Sequence, residues 1–180
     1  TYIRKGSTKS KKQLFAVHRL DRDTSGVLVF AKSFDACETL KVQWKDVKKK
    51  YIAMVHGILK EKSGMITSYL AENDDYEVYS VSDHRKGDLA KTKYKVVEES
   101  KVYSLIEIEL LTGRKNQIRV HFSEKGHPLV GDTKYGKKDG PKRRLALHSQ
   151  FLTFKHPRTG KEVTFQAEVP IFFKKHFKNA

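Results

Sequence analysis

HRLDRDTSG (residues 18–26) sets charged side chains of both signs between an apolar approach, Phe15 and Val17, and an apolar run from Val27 to Phe30. Thr24, Ser25 and Gly26 supply a turn, so Asp21 and Asp23 stand on a loop held between rigid elements. Asp21 is a candidate nucleophile or general base. Asp23 has the position of a turn former, its carboxylate accepting backbone N–H groups nearby. An aspartate in a Thr-Ser-Gly loop more often caps amides than performs chemistry. The weight of Asp21 therefore depends on what the rest of the chain brings to it.

Outward from this loop, VLVFA (27–31) reads as a short buried strand. Ser33 then caps a helix over 34–48, on which Cys37, Leu40, Trp44 and Val47 recur at helical spacing as a core-facing stripe. A strand over 51–59 follows, with more at 64–70, 76–80, 90–98, 102–111, 145–154 and 161–167. HPRTGK between the last two is a hairpin turn. Lys115 to Glu124 reads as a short helix stopped by Gly126, and Ile171 to Phe177 as another. Many strands, few helices and no regular βα alternation give an α+β class with a largely antiparallel sheet.

Two further segments carry polar groups of functional type. In LLTGRKNQIRVHF (110–122), Thr112-Gly113 breaks a strand and a helix begins beyond it, with Arg114, Lys115 and Arg119 close together. Helix N-termini and guanidinium groups both favour an anion, either a phosphate or a carboxylate. Without such a partner the cluster is an ordinary solvated helix face. In KKKYIAMVHG (48–57), Tyr51 leads a strand directly after Lys48, Lys49 and Lys50. Its ring can stack on a base, its hydroxyl can move a proton, or it can be a strand aromatic with no further role.

Composition narrows the partner. The 180 residues suit one domain, and a hydrophobic share of 38% is enough to build a core. Lys and Arg number 37 against 21 Asp and Glu, a net charge of +16 that favours a polyanion, either nucleic acid or an anionic membrane. One cysteine, Cys37, excludes an intrachain disulfide and a Cys-rich zinc framework. The histidines come without an HExxH pattern or a Cys pair, so no metal is expected. No stretch approaches the ~20 apolar residues that cross a bilayer. The opening TYIRKGSTKSKKQLF lacks the apolar centre of a secretory signal, so a soluble, cytoplasmic chain is expected. Residues 1–14 read as a flexible basic arm and 15–180 as the domain proper. Lys142, Arg143 and Arg144 end a basic run that is either a solvated surface or a tracker of phosphates.

HRLDRDTSGVLVFAKS (18–33), YIAMVHG (51–57), TGRKNQIRVH (112–121), GHPLVGDTKYG (126–136), RLALHSQFLTFKHPRTG (144–160) and FQAEVP (165–170) together resemble the catalytic domain of RluA-type pseudouridine synthases. The resemblance runs from Val17 to Pro170. It implies a mixed, mostly antiparallel sheet flanked by a few helices, with the active-site cleft across the sheet. It also implies isomerisation of uridine in ribosomal RNA, most often of the large subunit, or in transfer RNA, by a monomer without cofactor. The N1–C1′ bond is cleaved and the base rejoined through C5.

By this resemblance Asp21 is the nucleophile, and Tyr51 packs on the uracil and removes the C5 proton. Arg119 pairs with the catalytic carboxylate, and Arg19 fills the space left by the flipped base. His18, Arg22, Thr24, Arg114, Asn116, Gln117 and Ile118 are the remaining substrate-binding candidates, and Lys48, Lys49, Lys50, Lys142, Arg143 and Arg144 the candidates for RNA backbone. An arginine keeps a buried carboxylate ionised, and a base inside a stack must be everted to be reached. Attack at C1′, attack at C6 and assistance to glycal formation all use the same carboxylate; glycal chemistry at C1′ is preferred. Two departures stand out. Asn116 occupies a position where the family usually has His, so proton transfer is not expected there. The usual upstream strand with its Lys-Pro element, and an S4-like domain, have no counterpart in these 180 residues. The competing reading is an inactive RNA-binding protein with the same fold.

Overall fold

Successive apolar residues, rather than alternating ones, mark a strand buried on both faces, and IAMV (52–55) is such a run. The computed structural model, which describes residues 13–136, 144–174 and 177, places it at the centre of the molecule. The strands are β1 (Phe15–Ala16), β2 (Ser25–Gly26), β3 (Phe30–Ala31), β4 (Lys48–His56), β5 (Ser63–Glu72), β6 (Val78–Val81), β7 (Asp88–Glu99), β8 (Tyr103–Leu110), β9 (Leu147–Lys155) and β10 (Glu162–Gln166). The helices are α1 (Phe34–Val42), α2 (Gln117–Glu124) and α3 (Ile171–Lys174). The main sheet runs β10-β9-β4-β8-β7-β5-β6, all neighbours antiparallel. Strand β2 adds a parallel pairing, along β9 at Ser25–His148 and Gly26–Ser149. This is the α+β, mostly antiparallel architecture that the sequence leads one to expect.

Each face of β4 has its own core. Tyr51, Ala53 and Val55 pack with Ile106 and Ile108 of β8 and with Ile118 and Phe122 of α2. Ile52 and Met54 pack on the other side with Val130, Ala146, Phe173 and Phe177. Ile106 is fully buried, and its truncation to alanine should cost about 2–5 kcal/mol. A third cluster joins α1, through Cys37 and Leu40, to Val17, Ala31, Val47, Leu152 and Phe154.

Several element boundaries differ from expectation, each for a local reason. VLVFA is no buried strand: only Phe30–Ala31 pairs, with Phe15–Ala16, and Leu28 and Phe30 are exposed. The segment borders β9 and packs one side only. The helix after Ser33, whose hydroxyl accepts from the Ala36 amide, ends at Val42. A 3-10 turn over Gln43–Asp46 then lets the chain enter β4. Strand β4 starts three residues early because Lys48 to Lys50 already pair with β9, and it ends before Gly57, at φ 80°. Helix α2 begins at Gln117 because Asn116 is left-handed, φ 53°, a conformation asparagine tolerates better than most residues. Residues 1–12 of the basic arm, Lys142 and Arg143 lie outside the described residues.

Candidate active site

The 18–24 loop, the start of β4, and residues 110–118 enclose a cleft of about 350 Å3. Gly26 fixes the loop against the sheet. At φ 120° its backbone lies so near β9 that a Cβ there would sit 2.1 Å from the Ser149 carbonyl oxygen. The Val27 amide donates to that same oxygen at 2.9 Å, and Ser25 Oγ meets His148 Nδ1 at 2.8 Å. Inside the loop the Thr24 amide closes a turn onto the Asp21 carbonyl. The chain order Asp-x-x-Thr-Ser-Gly therefore presents the Asp21 side chain to the cleft and holds its backbone still.

Among the described residues Asp21 is the only carboxylate lining the cleft, against Arg19, Lys45, Lys49 and Arg114. Arg119 Nη1 approaches Asp21 Oδ2 at 3.7 Å. Its closer partner is Asp132: Nε and Nη2 each donate to that carboxylate at 2.8 Å, in a fork-to-fork pair with an Asp132 side chain that has no solvent exposure. The Lys134 and Tyr135 amides also donate to Asp132 Oδ1. Burial alone would raise the Asp132 pKa, but these donors hold it below the usual carboxylate value. For Asp21 burial prevails, and its pKa lies above the ordinary value although Arg119 and Arg19 oppose the rise.

Asn116 completes the arrangement. Its Oδ1 accepts from Arg119 Nη1 at 3.1 Å, and its Nδ2 donates to the Tyr135 hydroxyl at 3.0 Å. The Tyr135 ring lies 5.1 Å below the guanidinium. Asparagine at 116 thus orients Arg119, a task that needs no titrating group. Asp132 and Tyr135 were not singled out from sequence, although GDTKYG lies inside one of the quoted motifs; a Gly-Asp before a tyrosine reads as a turn until the fold places it under α2.

Tyr51 lines the cleft and is largely buried. Burial raises its pKa, the Ser149 side chain opposes the rise, and the Asp21 charge adds to it. His18 stacks on Trp44 with ring centroids 4.5 Å apart, and its Nε2 accepts from the Val29 amide. Burial lowers its pKa, so it lines the cleft as a neutral ring. Ile118 forms part of the apolar wall. Thr24 reaches the cleft with a buried hydroxyl that has no hydrogen-bond partner among the described residues.

Other sequence-derived candidates lie elsewhere or have their polar atoms occupied. Gln117 accepts from Thr112 Oγ1 and the Arg114 amide and donates to Lys91 O and Thr92 Oγ1, so no group is left for a ligand. Arg114 sits at the rim, donating to the Leu89 carbonyl and paired with Asp88. Arg22 does not line the cleft; it lies with Arg144 along a second depression, which Thr24 also lines. Lys48 pairs with Glu162 and Lys50 is exposed, outside the cleft lining, whereas Lys49 lines it. Among the described residues no three His, Cys, Asp or Glu side chains converge as metal ligands, and no helix is long and apolar enough to cross a membrane.

The profile of the RNA pseudouridylate synthase family matches residues 1–124. A protein of Bacillus subtilis described as an uncharacterized RNA pseudouridine synthase, YlyB, is 43% identical over 161 residues, covering 86% of this chain and 52% of its own. The ribosomal large subunit pseudouridine synthase C of Buchnera aphidicola is 36% identical over 180 residues, covering 92% and 56%. The structure of human RNA pseudouridylate synthase domain containing 1 superposes with a TM-score of 0.78 at 27% identity, covering 88% of this chain and 70% of that one. The chain belongs to the RNA pseudouridylate synthase family. It spans about half the length of these curated relatives.

Proposed function

We propose that the protein isomerises specific uridines of structured RNA to pseudouridine, with Asp21 as the reacting carboxylate. The observation that carries this reading is Asp21 itself. It is a single half-buried acid in a cationic cleft, facing an arginine whose other donors are fixed on a second carboxylate. A surface that only tracks phosphates gains nothing from an acid there, which counts against a purely RNA-binding role.

The everted base would rest on the Tyr51 ring, with its sugar toward Asp21. The N1–C1′ bond breaks and a C5–C1′ bond forms. C5 loses one proton and N1 gains one, so the composition is unchanged and no co-reactant is consumed. The glycal route is the preferred one: the Asp21 carboxylate takes the C2′ proton as the N1–C1′ bond breaks and returns it to C2′ when the C5–C1′ bond forms. Tyr51, its pKa raised by burial, enters as a neutral phenol and contributes packing before any proton leaves C5. Arg119 stabilises the ionised Asp21, which burial would otherwise neutralise.

The name of the Buchnera relative favours large-subunit ribosomal RNA as substrate, with transfer RNA the next choice. A monomer acting in the cytoplasm is the simplest setting. Chemical mapping of pseudouridines across total RNA from cells with and without the protein tests the proposal. Loss of one or a few positions supports it and names the substrate, and an unchanged map refutes it.

A further inference from the structure

The cleft contains a second unusual group besides Asp21. Lys49 is 8% exposed, close to the limit at which lysine is found without a partner. Its ammonium donates to the Trp44 carbonyl at 3.1 Å and lies 6.0 Å over the Trp44 ring. Among the described residues no carboxylate comes within ion-pair distance of it. Burial lowers its pKa, and Asp46 opposes this only at longer range. An ammonium has three donors, so two remain for another acceptor. A buried cation without a counter-ion is costly and persists where something outside the fold uses it.

Its position indicates what that is. Lys49 and Tyr51 are two residues apart on β4, both in register with β8 at Leu110 and Ile108. They project from one face about 6.7 Å apart, and both line the cleft. That spacing is on the scale of the span from a base to its own phosphate. Arg19 and Lys45 stand at the same cleft. Lys48 and Lys50 point to the opposite side of the strand and do not line it.

We infer that Lys49 is the ligand for the phosphate of the everted nucleotide, gripping it while the base lies on Tyr51. The inference rests on the proposed activity and adds the residue that reads the backbone at the reacting nucleotide. The alternative is a structural lysine that closes the 3-10 turn through the Trp44 carbonyl.

The test follows pseudouridine formation in total RNA from cells lacking the protein, at sub-saturating RNA and over a range of KCl concentrations. It compares wild type, Lys49→Met, Lys49→Arg, Asp21→Ala and the exposed strand variant Lys93→Met, and records thermal unfolding of each. Lys49→Met should lose about 10- to 100-fold in kcat/KM, mostly through KM, as expected for one charge-assisted contact. Its log–log salt slope should be shallower by about 0.7, while its Tm stays at or above wild type. Lys49→Arg should keep most of the slope, and Lys93→Met most of the rate. Wild-type rate and slope in Lys49→Met overturn the inference, and so does a rate loss matched by a lower Tm. If Asp21→Ala also keeps its rate, the chemistry proposed for the cleft has failed, and not merely the role of this lysine.

Discussion

Arg119 gives its two shortest hydrogen bonds, 2.8 Å each, to Asp132, and meets Asp21 at 3.7 Å through its remaining terminal nitrogen. The guanidinium is therefore aimed by one carboxylate at another. One cation serves two acids, which is why Asp132 stays ionised while burial raises the Asp21 pKa.

Removing the charge of Asp132 should misplace Arg119. Asp132→Asn is expected to lower kcat by about 100-fold, the scale of a small misplacement of a catalytic group. Stability should fall by about 3 kcal/mol, as when one member of a buried pair is removed. Steady-state kinetics beside denaturant unfolding check both, and a variant with unchanged kcat removes Asp132 from the account.

Asn116 combines a left-handed backbone with two side-chain bonds. Asn116→Ala should cost about 2–4 kcal/mol, from the αL penalty and the lost hydrogen bonds to Arg119 and Tyr135. Asn116→Gly relieves the backbone strain and should recover about 1 kcal/mol of that, without recovering activity. Activity restored by glycine would show that only the backbone matters at this position.

The pH dependence of the cleft follows from Asp21. The ionised form is the active one, and its folded pKa lies above the ordinary carboxylate value. The acid limb of kcat/KM should therefore fall at higher pH than a surface aspartate would give. Because the ionised form is disfavoured in the fold, Asp21→Asn should unfold at a higher temperature than wild type at pH 7. A limb below the ordinary value would mean that Arg119 dominates over burial.

His121 contributes to the loss of stability in acid. It is buried between Thr92 Oγ1 and Ser68 Oγ, and burial lowers its pKa from 6.5 to about 4. Above pH 6.5 both states hold a neutral ring. Below it the unfolded chain takes up a proton that the folded state accepts only near 4, so stability drops across that window. Tm should fall by about 5 °C between pH 7 and pH 5. His121→Gln should remove most of that dependence, and an unchanged profile in the variant would contradict it.

The sequence carried the class of fold through its strand periodicities, and its motifs indicated Asp21 and Tyr51, which line one cleft, and Arg119, whose guanidinium meets Asp21. What it concealed were relations made only by folding. Asp132 lies 13 residues beyond Arg119, in a segment that reads as a turn. Gln117 looked like a substrate ligand until its four bonds were seen to bind strands β7 and the 112–114 turn together. VLVFA looked buried because apolar runs usually are, yet β9 offers that segment only one side to pack on.

The proposed reaction depends above all on the Asp21 carboxylate. Single-turnover pseudouridine formation by the chain and by Asp21→Asn, with RNA binding measured in parallel, tests it most directly. Asp21→Asn should form no detectable product while binding RNA within about threefold of wild type, since the two side chains differ chiefly in charge. Product formed at the wild-type rate by Asp21→Asn would contradict it.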